Sequence, residues 1–195
     1  MQKYTTQKIK EFRKPKPRVP ILQAISERFS PRWFSPEPIP EKDVDRMFEA
    51  ARWAPSGRNL QPWYFYIVQK GKSSYNRVFS AITEHNQWSA IAPLLVVACY
   101  LKKDPYGENP FALYDLGAAV FSLVLQAQSM GYYTRQMGLF DKETLVKAIG
   151  IDSSHTPFVI LAIGKIGDYT KINKELLDRE LSPHERKRDL AKRLK

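Results

Sequence analysis

Two arginines and a serine lie close together near the start of the chain, at Arg28, Ser30 and Arg32. Guanidinium groups present forked donors that match the oxygens of a phosphate, and the serine hydroxyl adds a third donor. The spacing therefore indicates a phosphate-binding segment at the end of a short predicted helix. A solvated turn that carries two surface arginines is the alternative that these residue types leave open.

A second segment, residues 54–63, is rich in groups that can bind the edge of a heterocycle. It reads APSGRNLQPW, and the amide side chains of Asn59 and Gln61 offer both donors and acceptors. A proline before the loop and an aromatic run after it place the loop between a predicted helix and a predicted strand. The alternative is an Asx-type turn that only connects the two elements.

The positive charge is concentrated at the two ends of the chain. The 195 residues carry a formal net charge of +11, of which residues 1–18 contribute +6 and residues 178–195 contribute +3. Residues 1–19 contain Pro15 and Pro17 and little apolar periodicity, which predicts a basic N-terminal arm, mobile or docked, outside the core. Residues 20–195 are predicted to form a single domain with a basic C-terminal extension.

The composition excludes several classes of protein. The single cysteine, Cys99, excludes a disulfide scaffold, favours a reducing compartment such as the cytoplasm, and is predicted to be a small buried apolar residue. His85 and His155 lack partners at metal-ligand spacing, so we expect no metal site and assign them to loops or the surface. The longest apolar run, residues 90–101, is too short to cross a membrane. No glycine-rich nucleotide fingerprint is present.

The hydrophobic pattern predicts an α+β fold: an α/β sandwich with a central mixed, mainly antiparallel sheet and a long central helix. That helix, residues 111–130, is apolar nearly all round, which requires burial in a bundle or at a subunit interface. The other predicted helices are residues 20–28, 40–54, 73–83 and 141–149, and a basic helix that begins at Ser182. The predicted strands are residues 63–68, 94–101 and 158–163.

Taken in order, these segments resemble the nitroreductase family of FMN enzymes. The pattern R-x-S-x-R is followed by a helix and then by P-S-x-x-N-x-Q-P-W. Residues 114–119 and 130–132 are similar to the two ends of the family's central helix, and residues 136–141 to a glycine-containing loop. Residues 162–168 resemble its last core strand, and residues 179–187 its basic tail. The resemblance covers residues 20–190, nearly the whole chain.

The resemblance implies a homodimer that binds FMN at two sites between the subunits. Three groups of residues match its cofactor-binding positions. The phosphate is matched by Arg28, Ser30 and Arg32, by the backbone of Phe29, and by Arg186 in the tail. The flavin ring and ribityl chain are matched by Pro55, Ser56 and Asn59, often from the partner subunit, and the N5/O4 edge of the ring by Gly138 and Leu139. No catalytic acid, base or nucleophile is implied, because the cofactor carries the hydride chemistry.

Four residues depart from the family pattern or lie beside it. His184 stands where many members have a basic residue, Phe29 where a polar one is frequent, and Leu139 where a second glycine is common. Leu139 is therefore predicted to narrow the loop over the ring and to restrict substrates. Arg135 either faces the pocket, where it would favour anionic substrates or the 2′-phosphate of NADPH, or is a surface arginine.

The function implied is an FMN-dependent oxidoreductase. It would transfer hydride from NADH or NADPH to an electron-poor acceptor, such as a nitroaromatic or a quinone, by a ping-pong mechanism. One alternative keeps the fold and changes the flavin chemistry to reductive dehalogenation or flavin fragmentation. A less favoured alternative is a nucleic-acid-binding module that uses the basic ends, although the body has no RNP-type or helix-turn-helix pattern.

Overall fold

Runs of β-branched and aromatic residues form the sheet at the centre of the molecule. The computed structural model describes residues 4–182 together with residues 186 and 191. Its strands are β1 (Trp63–Gln69), β2 (Leu94–Leu101), β3 (Lys103–Asp104), β4 (Gly107–Glu108), β5 (Tyr133–Met137) and β6 (His155–Gly164). The main sheet has the order β1-β2-β6-β5, and β3 and β4 form a short hairpin. All these pairings are antiparallel, and the expected α+β class is confirmed. A mixed sheet was expected, but the described residues contain no parallel pair of strands.

The helices flank this sheet, and most lie where the apolar periodicity predicts them. They are α1 (Thr6–Arg13), α2 (Gln23–Ser26), α3 (Glu41–Arg52), α4 (Ser73–Phe79), α5 (Ala112–Ser129), α6 (Lys142–Ile149) and α7 (Lys174–Glu180). The side chain of Asp141 caps α6 by accepting a hydrogen bond from the amide of Thr144, and Gly150 ends this helix with φ 64°. Helices α2 and α4 are shorter than predicted, and the predicted helix from Ser182 lies largely outside the described residues.

The core has two layers because strands β2 and β6 are buried on both faces. Val96, Leu161 and Ile163 pack on one face with residues of α3 and α5, such as Met47 and Leu123. The alternate residues of the same strands pack on the other face, with residues of α1, α4, α6 and α7. Each fully buried leucine or isoleucine contributes about 1.5–3 kcal/mol to folding, so this double layer holds both the sheet and its loops in place.

The N-terminal arm docks on the body through a helix. Thr5 accepts a hydrogen bond from the amide of Lys8 and so caps α1. Ile9 is 0% exposed and belongs to the core, and the hydroxyl of Thr6 donates to the carbonyl of Gly167 at 2.9 Å. The expectation that this arm contributes little to the core is therefore wrong at Ile9. One buried residue in an eight-residue helix leaves too little periodicity to be recognised.

The sequence pattern also does not predict the short hairpin of β3 and β4, the edge strand β5 or the helix α7. We predicted residues 136–141 as a loop, but Gln136 and Met137 pair with β6 in the sheet. The polar residues Thr134, Arg135 and Gln136 hide this strand, because they break the apolar alternation on which strand prediction relies. Within the described ranges, no helix is long and apolar enough to cross a membrane.

Candidate functional site

The segment formed by residues 28–32 leaves α2 without regular structure and is anchored by its apolar members. Phe29 is 4% exposed, and the centroid of its ring lies 5.0 Å from that of Tyr133 on β5. Its burial explains why a phenylalanine stands where the family pattern favours a polar residue. On either side of Phe29, the half-buried side chains of Arg28 and Ser30 meet, and Arg28 Nη1 donates to Ser30 Oγ at 3.2 Å.

Arg28 and Arg186 bring two positive charges together at this segment. Partial burial lowers the pKa of the Arg28 guanidinium below its usual value, and the positive charge of Arg186 lowers this pKa further. Two guanidinium groups in proximity repel each other unless an anion lies near both. The arrangement therefore fits a phosphate group, as the residue pattern predicts.

Arg32 is held differently, by the end of helix α7. Its main-chain nitrogen donates to Glu180 Oε1 at 2.9 Å, and its Nη1 donates to the same oxygen and to the carbonyl of Arg179, each at 3.3 Å. The carboxylate of Glu180 is 0% exposed. Burial lowers the pKa of Arg32, while Glu180 opposes this shift. The Nε atom of Arg32 is buried and has no hydrogen-bond partner among the described residues.

The loop of residues 55–61 lies beside the central helix. Gly57 donates its main-chain N–H to Asp115 Oδ2 of α5 at 3.2 Å, and Gln61 donates its own to Ser56 Oγ at 3.0 Å. Arg58, Asn59 and Gln61 have φ values of 53°, 57° and 49°. Left-handed backbone at residues other than glycine is strained, and such strain concentrates at functional sites.

The two predicted site segments are anchored in different layers of the core. Phe29 packs in the core layer that includes Ile9, whereas Ala54, just before the loop of residues 55–61, packs in the opposite layer with α3 and α5. Across the described residues, no hydrogen bond joins residues 28–32 to residues 55–61. Each part of the expected cofactor site is therefore held in place by its own set of contacts.

Gly138 and Leu139 form an open surface directly after β5. The carbonyl of Leu139 accepts hydrogen bonds from Thr83 Oγ1 and Asn86 Nδ2, each at 3.2 Å, which fixes the loop. The side chain of Leu139 is 63% exposed, and a Cβ placed on Gly138 would meet nothing within 4 Å. The space above Gly138 is therefore free on this chain, and the exposed leucine stands at its border.

Arg135 is not the surface arginine that the sequence allowed. It is half-buried, its Nη1 donates to the carbonyl of Ser30, and its Cζ lies 5.6 Å from the centroid of the Trp88 ring. Burial lowers the pKa of Arg135 to about 10, and the nearby charge of Arg32 adds to this effect. Its contacts join it to residues 28–32, whereas the sequence pattern offers Arg135 only as a residue of the pocket or the surface and assigns no role to Glu180.

Other residues singled out in the sequence have structural positions. Cys99 is buried as predicted, and burial raises the pKa of its thiol to about 12. His155 is not a loop residue: it begins β6, its Nδ1 lies 2.9 Å from Tyr66 Oη, and its ring stacks on Tyr64. In the part of the chain that the structure describes, no three His, Cys, Asp or Glu side chains are grouped to hold a metal ion. His184 lies outside that part.

Comparison with known proteins identifies the family. The Nitroreductase family matches at residues 25–90 and 80–165, more than two thirds of the chain. A protein of Archaeoglobus fulgidus, provisionally named an NADH dehydrogenase/NAD(P)H nitroreductase, is 28% identical over 164 residues that cover 80% of this chain and 89% of the relative. Iodotyrosine deiodinase 1 of Rattus norvegicus is 40% identical over 49 residues, which cover 25% of this chain and 17% of the relative.

The fold agrees with this family. A crystal structure described as an oxidoreductase containing FMN superimposes with a TM-score of 0.79 and is 30% identical, covering 85% of this chain and 87% of the other. Its likeness extends over the sheet and helices that carry the candidate site. The chain is therefore a member of the nitroreductase family and an enzyme of nitroreductase-like type.

Proposed function

We propose that this chain is an FMN-dependent oxidoreductase that uses NADH or NADPH to reduce an electron-poor acceptor, such as a nitroaromatic or a quinone, by a ping-pong mechanism. FMN, when bound, supplies the redox chemistry by taking a hydride from the nicotinamide and passing it to the acceptor. The residues of the chain bind and orient the reactants and limit the access of water. None of them is assigned as an acid, base or nucleophile.

The contact between Arg28 and Ser30 is the observation that carries this proposal, because it places a guanidinium and a hydroxyl donor side by side, with Arg28 Nη1 3.2 Å from Ser30 Oγ. Partial burial lowers the pKa of Arg28, and the positive charge of Arg186 lowers it further. Arg32, in the same segment, has a buried Nε without a hydrogen-bond partner among the described residues. A phosphate carries close to two negative charges and accepts several hydrogen bonds, so it would offset this unfavourable arrangement. Phe29 would contribute its backbone, with its ring anchored in the core.

The remaining site residues would contact the rest of the cofactor. Pro55, Ser56 and Asn59 lie on the strained loop, where hydroxyl and amide groups suit the ribityl chain and the polar edge of the ring. Gly138 leaves room for a planar ring to approach the backbone, and Leu139 would limit the size of an acceptor that lies on that ring. In this proposal, backbone and polar groups orient the cofactor, and the apolar side chain of Leu139 selects the acceptor.

A homodimer would unite the two halves of the site. The outer face of α5 exposes Leu113, Tyr114 and Phe121 at 41%, 81% and 43%, and Phe111 before it is 64% exposed. An apolar face of this kind on a central helix favours a protein partner. A second copy packed there would bring its loop of residues 55–61 to residues 28–32 of the first, as the family resemblance implies.

The dimer is tested by light scattering coupled to size-exclusion chromatography. Phe121→Asp should convert the dimer to a monomer, because it places a charge in an apolar interface. Ile67→Asp is the matched control, since Ile67 on β1 is also 43% exposed. A monomeric wild-type protein, or a Phe121→Asp variant that stays dimeric, contradicts the proposed assembly.

The function is tested by the visible spectrum of the purified protein. We expect a flavin spectrum that bleaches on anaerobic addition of NADH or NADPH and returns when a nitroaromatic or a quinone is added. Initial rates should give parallel double-reciprocal lines. Arg28→Met should weaken FMN binding by about tenfold or more, whereas Lys165→Met removes an equal charge at an exposed pair with Glu37 and should not. A colourless protein that does not bind added FMN would exclude the proposal.

The match to iodotyrosine deiodinase favours a second candidate, reductive removal of a halogen from an aromatic ring, although it covers only a quarter of the chain. This reaction would use two electrons and a proton, and would release the halogen as halide. Anaerobic incubation of the reduced protein with a halogenated phenol, followed by halide measurement, separates the two candidates. Halide release faster than nitroaromatic or quinone reduction would favour the second.

A further inference from the structure

Strand β5 holds the phosphate-binding segment through two of its side chains. Tyr133 and Arg135 are two residues apart, so they extend from the same face of the strand. Tyr133 packs its ring against Phe29, and Arg135 donates a hydrogen bond to the main-chain carbonyl of Ser30. The same strand leads directly into Gly138 and Leu139. One strand therefore supports both the segment that would bind the phosphate and the loop that would meet the flavin ring.

Side chains bind the main-chain groups on both sides of Pro31, in the middle of residues 28–32. These residues form neither helix nor strand, and Pro31 is buried and has no N–H. On one side of Pro31 the carbonyl of Ser30 is bound by Arg135, and on the other side the amide of Arg32 is bound by Glu180. Buried main-chain groups require partners, and here each flanking group obtains its partner from an ionised side chain on another element.

The position of Arg135 is unfavourable for stability by itself. The guanidinium is desolvated, lies near Arg32, Arg13 and Arg179, and has Glu180 as the nearby acid that offsets them. An apolar side chain of similar length would fill the same space against Trp88 without desolvating a charge. The guanidinium is therefore better explained by what it does to Ser30 than by packing.

We propose that Arg135 is a positioning residue for the phosphate-binding segment: by holding the Ser30 carbonyl, it sets the direction in which the Ser30 hydroxyl and the Arg28 guanidinium face. This inference rests on the proposed FMN function and extends it to a residue outside the R-x-S-x-R pattern. It also gives Arg135 a role other than selecting between NADH and NADPH. Glu180 fixes the other end of the segment through Arg32.

Comparison of FMN with riboflavin binding tests this role directly. Riboflavin has the same ring and ribityl chain but no phosphate, so only FMN uses the segment that Arg135 positions. In flavin-free full-length protein, Arg135→Met should raise the Kd for FMN by about tenfold, equivalent to about 1.4 kcal/mol. The Kd for riboflavin should change by less than about twofold, because a lost phosphate contact does not affect it.

Two further variants make the result specific. Arg135→Lys keeps the charge and one donor but loses the planar fork, so it should restore part of the FMN affinity. Lys165→Met removes one positive charge at an exposed pair with Glu37 and should leave the ratio of the two Kd values unchanged. Circular dichroism and thermal unfolding of each variant identify any that fail to fold, in which case Arg135→Lys carries the test.

The outcomes distinguish this inference from the proposed function. Equal weakening of FMN and riboflavin binding by Arg135→Met would show a merely structural role, and no weakening of either would show no role. Either result overturns the inference while FMN binding by the wild type stands. If the wild-type protein binds neither flavin, the proposed function fails, and the inference fails with it.

Discussion

The buried carboxylate of Asp115 accepts a hydrogen bond from the main-chain nitrogen of Gly57, at 3.2 Å. Asp115 is 3% exposed and lies in the first turn of α5, so this contact joins the central helix to the loop of residues 55–61. We expect Asp115→Ala to lower the free energy of unfolding by about 1–3 kcal/mol, because it leaves the Gly57 amide without its partner. Urea unfolding measures this change. Asp115→Asn keeps an acceptor and should lose less; an unchanged midpoint in Asp115→Ala would contradict the assigned role.

The left-handed backbone of Arg58 predicts a stabilising substitution. Its φ is 53°, and its guanidinium lies over the exposed ring of Tyr106 at 5.1 Å. Arg58→Gly should raise the free energy of unfolding by about 0.5–1 kcal/mol, because glycine adopts positive φ without a steric penalty. Gly150→Ala, at φ 64°, should lower it by about 1 kcal/mol. Chemical denaturation of the two variants should show opposite signs, and a destabilised Arg58→Gly would mean that the contact with Tyr106 outweighs the strain.

Cys99 predicts a loss of stability at alkaline pH. Burial raises its pKa to about 12 in the folded protein, against about 8.5 in the unfolded chain. The folded state thus keeps the thiol protonated, and the stability that this confers is complete below about pH 8.5 and is lost as the pH rises towards 12. Between pH 8.5 and pH 12, the free energy of unfolding of the wild type should fall by up to about 1.4 kcal/mol per pH unit more than that of Cys99→Ala. Unfolding by guanidinium chloride at pH 8, 9 and 10 measures the free energies of wild type and Cys99→Ala. Taking their difference cancels the titration of the tyrosines that both proteins share. A difference that stays the same at all three pH values would contradict the expectation.

Leu139 predicts a size limit for acceptors, within the proposed function. Its side chain is 63% exposed beside Gly138, over which a Cβ would meet nothing. Leu139→Gly should raise kcat/KM for a bulky quinone by up to about 10-fold, because a few methylene groups in an apolar pocket can change kcat/KM by this factor. For a small quinone, kcat/KM should change little. Steady-state rates with a matched pair of quinones measure the ratio. The same ratio in both proteins would show that Leu139 does not border the acceptor.

Much of the fold was predictable because strong periodic patterns carry it. Strands β1, β2 and β6 and helices α3, α5 and α6 lie within a few residues of their predicted ends. These elements bury a continuous apolar face, so composition and spacing identify them. Strand β5 was missed because its central residues are polar, and α1 because Ile9 is its only buried residue. Both acquire their structure from contacts distant in the sequence.

The candidate site was predictable as a set of residues but not as an arrangement. The spacing of Arg28, Ser30 and Arg32 indicates an anion site, yet the structure holds Arg32 at the end of α7, with the carboxylate of Glu180. Glu180 is separated from Arg32 by 148 positions in the chain, so no local pattern could reveal this pair. The contact of Arg135 with Ser30 is equally non-local, and only the fold could distinguish it from a surface arginine.

The docking of α1 beside α7 has a kinetic consequence. Arg13 of α1 donates from its Nη1 to the carbonyls of Glu180 and Ser182, at 3.2 and 3.3 Å, so Arg13 lies beside Arg32 and Arg179 at the end of α7. Positive potential gathered at one side of a protein steers anions towards it and accelerates their encounter. An anionic flavin should therefore associate more slowly as ionic strength rises and the Debye length falls below about 10 Å, whereas the encounter of an uncharged one should be insensitive to salt.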